Sequence, residues 1–587
     1  MKIKLYWDNI KRFKFKQLYY LFINKSARKI IQTFFKPSVS KEYNLKDISY
    51  PEFKNQLNKL FTFKNFHEPI RKSGENYDRS LNPFYNKLLF EMKKNFKDGN
   101  LDIESFLCME LEGLEEEFNK ARFYLYTEAL TDFSVPDKEK IKLMLHFIND
   151  FKYEEKTWSG FNTSLRLFNW FKLLYSMSEK FSLNDSDWNI IQRAIRIHAY
   201  HIKKNIEYHI PSNHIFIQYY ILWTVGIIFN DDEILKFSEK SLTEETKKQF
   251  LKSGFHFELS YHYHIQITLF LMLWIYGSSK FNRKIEESII SIAKKATYLV
   301  NDFKLPDGSL PMIGDNCYTF VHSNLYADVD KINDIFNSIF PGESFKSSDK
   351  IINVDGEYII SKNRNSQLIF DVGKICISEN PGHGHSDLLN IIYFDQIPLF
   401  IDPGTRRYSN SNEDMLLKKT SSHNTVTIDN SDQAILWRFF RWSYLPTPVG
   451  YEIEKNENFT KITAEFKGFM NLGGMNHRRT VTQFEDKLQI EDFIYGKGFH
   501  NIELNFVLSP LVKAEILENN VLLKHQDQSW LMQIIPELDL NISTNSFTIY
   551  PYYDSPINTS KISFLYPNRK FPFSSKTTLL KSNNYYG

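Results

Sequence analysis

The chain has 587 residues, which is too long for one hydrophobic core, so two or three domains are expected. Its hydrophobic share of 42% and charged share of 24% are those of an ordinary globular protein, and a net charge of only +3 argues against nucleic-acid binding. Its three cysteines are odd in number and far apart, so no disulfide framework is implied, and no apolar run reaches the roughly 18 residues of a membrane-spanning helix.

Residues 1–44 are predicted to form a basic amphipathic segment. The first 36 residues carry ten Lys or Arg and one Asp, interleaved with aromatic residues such as Trp7 and Phe13. The segment lacks the clean apolar core and the small-residue cleavage site of a secretory signal. It is expected either to lie on an anionic membrane surface or to pack as a helix against its own domain. A cytoplasmic or inner-membrane-peripheral location is predicted, with a periplasmic location as the alternative.

Residues 45–345 have the hydrophobic periodicity of helices. Apolar side chains recur at three- and four-residue spacings, and short polar breaks separate the segments. Helices are predicted over 140–151, 157–176, 187–206, 214–229, 232–249, 263–276 and 285–303. A succession of antiparallel helical hairpins of this length predicts an α/α toroid or a solenoid.

The pattern changes to short alternating runs in residues 346–587. Segments such as 358–361, 461–466 and 480–484 alternate apolar and polar residues, and Gly, Asn and Asp separate them. This pattern predicts an antiparallel β-sandwich. The expected fold is therefore a multidomain α+β protein, with an N-terminal α/α toroid followed by a C-terminal sandwich.

Two groups of polar residues occur in the helical region. Asn213 and His214 open an apolar helix, where Asn213 is a natural N-cap, and this structural role is a sufficient explanation for it. The second group, in 254–264, places two Tyr and three His within nine residues just before another apolar helix. Packing alone does not easily account for such a group.

A third group lies at strand ends in the predicted sandwich. Two His flank one Gly in Pro381-Gly-His-Gly-His-Ser-Asp387, an apolar strand follows, and Asp402-Pro-Gly is a turn. His423 opens the next strand. Imidazoles and a carboxylate at strand ends suit a metal, a proton-transfer site, or both. The alternative is that each His is a separately satisfied, half-buried residue.

The motifs in 382–387, 402–408 and 423–426 together resemble those of the heparinase II/III family of polysaccharide lyases, which is related to alginate lyases and dermatan uronate epimerases. The resemblance extends over roughly residues 45–560 and implies a toroid joined to a sandwich with the active cleft between them. Departures from the family pattern are Ser212 and Ser386, where Asn and Ala are commoner, and Cys317-Tyr318, where an acidic pair often follows Gly-Asp-Asn.

The resemblance implies a role for each matching residue. The residues that match catalytic positions are Asn213, His214, Tyr263, His383 and Tyr408. Those assigned to substrate binding are Arg166, Tyr261 and Arg441, and Tyr261 also competes with Tyr263 for the role of catalytic tyrosine. The residues that match a metal triad are His385, Asp402 and His423. The implied cofactor is a divalent metal, with zinc as the expected ion, and the alternative is a metal-free His-Asp-His hydrogen-bond network.

These residue types suit abstraction of the C5 proton of a uronate. Hydrogen-bond donors must neutralise the substrate carboxylate, a base must take the proton, and an acid must protonate the departing O4. A tyrosine phenol, with an ordinary pKa near 10, serves as the neutral donor or needs nearby cations to serve as base. The roles of acid and base among Tyr263, His383 and Tyr408 stay open.

The predicted function is therefore that of a lyase. It would cleave a uronate-containing acidic polysaccharide by β-elimination, in the context of bacterial surface-polysaccharide metabolism. A C5-epimerase on the same scaffold and a catalytically inactive glycan-binding or assembly protein are the alternatives. The expected partner is the acidic polysaccharide, with peripheral membrane association through the N-terminal segment and no nucleic acid.

Overall fold

The computed structural model describes residues 42–62, 96–97, 100–101, 122–123, 127, 135–150, 157–320, 323–345, 350–535 and 539–582. The predicted basic segment, 1–44, lies outside the described residues except for its last three. Among the described residues, no helix combines the length and apolar character that crossing a bilayer requires.

The first half of the described chain is helical. The helices are α1 (Tyr50–Phe61), α2 (Asp137–Asp150), α3 (Gly160–Ser176), α4 (Asp185–Lys204), α5 (Asn213–Phe229), α6 (Asp232–Gln249), α7 (Tyr261–Lys280), α8 (Glu287–Asp302) and α9 (Leu325–Ile339). Several begin where a short polar side chain accepts a hydrogen bond from a backbone N–H of the first turn, as Ser159, Asn184 and Asp231 do. Asn230, in a left-handed conformation, ends α5.

The helices form two layers, as an α/α toroid requires. Helices α5 and α7 are apolar on all sides, and nearly every one of their residues is buried. Helix α1 packs against α3, α5 and α7, and α6 pairs with α5. Helix α6 is amphipathic, with its buried residues on one side, so it covers the inner layer. Both inner helices begin at the end of the helical region that faces the sheets, and this positions their first turns for the site described below.

The second half is built from antiparallel strands. The short pairs in the helical region are β1 (Phe96–Lys97) with β2 (Asn100–Leu101) and β3 (Thr319–Phe320) with β4 (Ser323–Asn324). The following strands are β5 (Ile351–Val354), β6 (Tyr358–Lys362), β7 (Ser366–Asp371), β8 (Ile391–Asp395), β9 (Ile397–Phe400), β10 (Val426–Ile428), β11 (Ile435–Arg438), β12 (Arg441–Tyr444), β13 (Thr447–Lys455) and β14 (Thr460–Gly468). The remaining strands are β15 (Met475–Gln483), β16 (Lys487–Tyr495), β17 (Phe499–Val507), β18 (Lys513–Leu517), β19 (Asn520–His525), β20 (Gln528–Ile534), β21 (Asn541–Tyr552), β22 (Ser555–Lys570) and β23 (Phe573–Ser582). A short helix, α10 (Asn412–Leu416), lies in the connection between β9 and β10.

Three sheets account for most of these strands. One has the order β5-β6-β7-β8-β9, a second has β10-β17-β22-β21, and the third has eight strands in the order β13-β14-β15-β16-β23-β20-β19-β18. Strand β11 pairs with β12 alone. All these pairings are antiparallel, as the alternating sequence predicts.

The five-stranded sheet lies between the helices and the rest of the sandwich. Its strands β7 and β8 are buried at every position. Ile360 and Ile369 belong to the hydrophobic core of the helical region, whereas their sequence neighbours Ile359 and Phe370 belong to the core of the sandwich. Because side chains alternate between the two faces of a strand, this sheet contributes to both cores at once. It therefore fixes the helix termini relative to the strand ends that carry the site.

Candidate active site

The inner helix α7 brings Tyr263 to the junction between the helices and the sheets. Tyr263 lies in the first turn of α7, and its hydroxyl is 2.7 Å from the hydroxyl of Tyr408, which follows the Asp402-Pro-Gly turn. The His383 ring packs against Tyr263 with 4.0 Å between ring centroids, and Tyr408 lies 6.0 Å from His383. The structure thus brings together two phenols and an imidazole from segments that are up to 145 residues apart.

A buried carboxylate supports this group. Asp315 Oδ2 lies 2.9 Å from His383 Nδ1, and Asp315 Oδ1 lies 3.0 Å from His385 Nε2. The ammonium of Lys418 is 3.1 Å from the same carboxylate and also donates to the carbonyl oxygen of Gly382 at 2.7 Å. Burial by itself would raise the pKa of Asp315, but Lys418 and the two imidazoles hold that pKa well below its usual range. The surroundings of Asp315 therefore favour its charged form.

Asn213 is held by a second carboxylate. Its backbone N–H donates to Glu258 Oε1 at 3.2 Å, and its Nδ2 donates to Glu258 Oε2 at 2.9 Å. The expectation that Asn213 is the N-cap of α5 is wrong, because Ser212 holds that position and its hydroxyl accepts from the His214 N–H. Asn213 is the first helical residue instead, and its amide is committed to Glu258.

His214 lies beside Asn213 and remains partly exposed. Its Nδ1 is 2.7 Å from Glu207 Oε2, and its ring stacks on Phe161 with 3.7 Å between centroids and an angle of 2° between the ring planes. Burial would raise the pKa of Glu207, but the hydrogen bonds from His214 and from the Phe161 N–H lower it to about 2. The stacking on Phe161 and the hydrogen bond to Glu207 together fix the orientation of the His214 ring.

The predicted metal triad comes together in the sandwich. Ligand atoms of His385, Asp402 and His423 lie within 4.8 Å of one another, and all three side chains are buried. Asp402 Oδ2 accepts from Asn390 Nδ2 at 2.7 Å and lies 3.0 Å from His423 Nδ1.

Each member of the triad keeps one buried polar atom without a hydrogen-bond partner among the described residues. These atoms are His385 Nδ1, Asp402 Oδ1 and His423 Nε2. Unsatisfied buried polar atoms are costly, and here two imidazole nitrogens and one carboxylate oxygen meet in one cluster. This donor set fits a divalent metal with room for a further ligand. The group could therefore hold a metal ion.

Two predicted substrate-binding residues, Arg166 and Tyr261, are buried in the interior of the helical region. The guanidinium of Arg166 is buried, donates to the carbonyl oxygen of Thr157 at 2.8 Å and lies over the Trp158 ring, and burial lowers its pKa to about 9. The hydroxyl of Tyr261 donates to the carbonyl oxygen of Val300 at 2.6 Å inside the helical core. Both side chains are engaged within the protein, and their roles in substrate binding stay predictions.

Arg441, the third such residue, lies in β12 and is exposed. The ring of the preceding residue, Phe440, packs at 5.9 Å from His383 and 5.1 Å from Tyr408. Arg441 is thus one residue away from a side chain that packs against His383 and Tyr408, and its role in substrate binding stays a prediction.

Three supporting residues were not predicted from the sequence. One of them, Asp315, stands in the Gly-Asp-Asn motif that directly precedes Cys317. Nothing local to the sequence marked Lys418 or Glu207. Each of the three acts through contacts with residues outside its own motif, so only long-range proximity reveals it.

A cavity of about 830 Å³ lies beside three of the segments that carry site residues. Pro211 precedes Asn213, Phe257 precedes Glu258, and Glu379 precedes His383, and all three residues line this cavity. Its remaining walls come mainly from α5 and α6, which contribute aromatic, lysine and glutamate side chains.

Two family descriptions match this chain. Residues 126–339 match the "Heparinase II/III N-terminus" and residues 353–578 match "Heparinase II/III-like, C-terminal". No curated protein matches the sequence.

Solved structures of several lyases have a similar fold. A heparinase III crystal structure aligns with a TM-score of 0.65 at 15% identity, covering 95% of this chain and 89% of that one. Heparan sulfate lyase HepC from Pedobacter heparinus aligns with a TM-score of 0.58 at 13% identity, covering 91% and 88%. The chondroitin AC lyase of Streptomyces coelicolor A3 aligns with a TM-score of 0.54 at 10% identity, covering 92% and 83%. The predicted arrangement of a helical toroid followed by antiparallel sheets is confirmed.

Proposed function

The chain belongs to the heparinase II/III family, and from this premise we propose that it is a polysaccharide lyase that cleaves a uronate-containing acidic polysaccharide by β-elimination. The observation that carries the proposal is the contact among Tyr263, Tyr408 and His383, in which the two hydroxyls are 2.7 Å apart and the imidazole packs on one phenol. A binding protein has no need of such proton-transfer groups, one of which is held by a buried carboxylate.

The site also suits an anionic substrate. Helices α5 and α7 both begin here, and the N-terminus of a helix carries a partial positive charge that favours anions. His214 is partly exposed at the start of α5, and because its Nδ1 is held by Glu207 it donates to a second anion only as the doubly protonated imidazolium. We assign His214 in that form and this positive end of α5 to the substrate carboxylate, because its neutralisation makes the C5 proton removable.

The proton transfers are assigned to the other residues of the group. His383, supported by Asp315 at Nδ1, takes the C5 proton at Nε2, as an imidazole held by a carboxylate does in other enzymes. Tyr263 gives its hydroxyl proton to O4 as the C4–O4 bond breaks and the C4–C5 double bond forms. Tyr408, hydrogen-bonded to Tyr263, stabilises the phenolate until it is reprotonated.

We propose that the triad of His385, Asp402 and His423 holds a divalent metal, with zinc as the ion that its nitrogen and oxygen donors favour. When bound, such an ion supplies charge and rigidity to the strand ends behind His383, and no step of the elimination is assigned to it.

The test is a panel of uronate-containing polysaccharides assayed for the near-ultraviolet absorbance of a C4–C5 unsaturated product. Tyr263→Phe is expected to lower kcat by about 10²- to 10⁴-fold, the usual contribution of a positioned acid. Tyr261→Phe is the matched control, because it removes the same atom two residues away but breaks only the hydrogen bond to Val300. It should keep kcat near the wild-type value.

Other outcomes would redirect the proposal. Deuterium incorporation at C5 without chain cleavage would identify a C5-epimerase instead. A wild-type protein that binds a glycan without any reaction, with the same affinity in Tyr263→Phe, would identify a glycan-binding or assembly protein.

We also propose that the enzyme acts at the inner face of a bacterial membrane, during synthesis or export of a surface polysaccharide. The support is the composition of residues 1–36, whose ten basic side chains would each contribute roughly 1 kcal/mol near an anionic surface. Full-length protein should sediment with anionic phospholipid vesicles at low salt and be released at high salt, whereas protein lacking these residues should stay in the supernatant. Equal sedimentation of both forms would refute it.

A further inference from the structure

Asp315 contacts several separate parts of the candidate site. Its carboxylate lies 2.9 Å from His383 Nδ1 and 3.0 Å from His385 Nε2. Its backbone N–H donates to the carbonyl oxygen of His383 at 2.9 Å, and its own carbonyl oxygen accepts from the Ser260 hydroxyl at 2.9 Å. Ser260 immediately precedes α7, which carries Tyr263. One residue therefore connects the helix of the tyrosine, the catalytic imidazole and the metal triad.

The carboxylate fixes which nitrogen of each ring carries hydrogen. A carboxylate that pairs with the Lys418 ammonium at 3.1 Å only accepts hydrogen bonds, so the two ring atoms that face it, His383 Nδ1 and His385 Nε2, must both be donors. In the neutral rings the opposite nitrogens are then lone-pair atoms. For His385 this atom is Nδ1, which is the atom that has no hydrogen-bond partner among the described residues and is left for a metal. For His383 it is Nε2, the atom assigned to the C5 proton.

Lys418 keeps this carboxylate in place. Its ammonium is buried, bridges Asp315 and the carbonyl oxygen of Gly382, and lies 4.2 Å from the centre of the Phe439 ring. Because Gly382 directly precedes His383, the lysine ties the carboxylate to the backbone that carries both imidazoles. A buried anion without such a cation would be costly to keep.

We propose that Asp315 is a positioning residue that holds the metal-binding tautomer of His385 and the proton-accepting tautomer of His383 at the same time. The inference rests on the proposed function for the role of His383, but its claim about the two rings stands apart from any activity. It predicts that loss of this one carboxylate weakens metal binding and proton transfer together.

Asp315→Asn tests the inference directly. An amide offers one acceptor oxygen and an N–H₂ group, so one imidazole N–H would face another donor and its ring must turn or change tautomer. We expect zinc affinity, measured by competition with a chelating dye, to fall about 10- to 100-fold. In zinc-saturated protein we expect kcat to fall at least about 100-fold while KM stays within about threefold, because the substrate-carboxylate donors are untouched.

Asp302→Asn is the matched control. Asp302 is also a buried carboxylate at the junction of helices and sheets, and it pairs with Lys362 at 2.7 Å outside the candidate site. Its replacement should cost stability but leave zinc affinity and kcat unchanged. An Asp315→Asn protein that is folded and keeps either the wild-type zinc affinity or the wild-type kcat would overturn the proposal.

A measurement on wild-type protein makes the test independent of how the variant folds. Long-range ¹H–¹⁵N correlation spectra of ¹⁵N-histidine-labelled, zinc-loaded protein distinguish the two imidazole tautomers, and His383→Gln and His385→Gln variants assign the signals. We expect hydrogen on Nδ1 of His383 and on Nε2 of His385, and the opposite tautomer at either ring would overturn the proposal. If no polysaccharide is cleaved, the lyase proposal fails, whereas the zinc affinities and the tautomers still decide the role of Asp315.

Discussion

Removal of one ligand of the metal triad, by His423→Ala, should abolish stabilisation of the protein by zinc. In metal-free protein His385 Nδ1, Asp402 Oδ1 and His423 Nε2 are buried without hydrogen-bond partners among the described residues. Each such atom costs about 1–3 kcal/mol, so the three together cost about 3–9 kcal/mol, which a bound ion would offset. The His423→Ala protein keeps only two ligands, too few for a closed zinc site.

The expected stabilisation by zinc sets the free zinc concentration for the assay. A stabilisation of about 3 kcal/mol corresponds to free zinc at about 150 times its dissociation constant. The free energy of urea unfolding of wild-type protein, measured with zinc buffered at that excess and again with a chelator, should therefore differ by about 3 kcal/mol. The same pair of measurements on His423→Ala should agree within error, and elemental analysis should find the metal lost.

His477→Ala provides the matched control for this experiment. His477 is a fully buried imidazole in the same sandwich, and its Nε2 lies 2.6 Å from Asp492 Oδ1 in a buried hydrogen bond. This substitution should lower stability with and without zinc by the same amount and leave the increment from zinc intact. The reasoning is refuted if wild-type protein gains nothing from zinc, or if His423→Ala retains the full increment and a stoichiometric metal.

Three further predictions concern the supports of the site and of the sandwich. Glu207→Gln removes the anion that holds His214, and the loss of a charged hydrogen bond should lower kcat/KM about tenfold; an unchanged kcat/KM would show that the pair is only structural. Burial opposes ionisation of Asp492, but Arg479 and His477 lower its pKa to about 2, so its ionised form stabilises the fold above its unfolded pKa near 3.8 and that contribution is lost as pH falls through about 2. The free energy of unfolding of the wild type should therefore fall by about 2 kcal/mol more than that of Asp492→Asn between pH 5 and pH 2, and parallel pH dependences would contradict this. Asp554→Ala should lower kcat without loss of bound zinc, because the Asp554 carboxylate ion-pairs with the two arginines just before Tyr408. An unchanged kcat would show that the segment before Tyr408 keeps its position without this carboxylate.

Local signals in the sequence determined most of the secondary structure. The helix predicted over 232–249 has the observed bounds of α6, because Asp231 caps its first turn and Asn230 ends the helix before it. The alternating runs likewise predicted the antiparallel strands. Both the hydrophobic period of a strand and the residues of a turn are properties of sequence neighbours. The predicted domain boundaries and the nature of the N-terminal segment stay predictions.

The motifs also singled out the residues that meet around Tyr263, but they did not determine the direction of the side chains. Tyr261 and Tyr263 are two residues apart on one helix, where successive side chains are about 100° apart, so they face nearly opposite ways. Only the packing of α7 decides that the Tyr261 hydroxyl reaches Val300 in the core while the Tyr263 hydroxyl reaches Tyr408. Burial of Arg166 beneath the helical layer is likewise a result of packing.

Only the tertiary structure decided which residues of the site contact one another. Asp315 is 68 residues from His383 and 103 from Lys418 in sequence, and no local pattern relates residues at such separations. They meet because a five-stranded sheet buried on both faces fixes the helix termini against the strand ends. The sequence by itself could therefore name the proton-transfer and metal-binding residue types, whereas the shared carboxylate between them arises only when the two cores pack against one sheet.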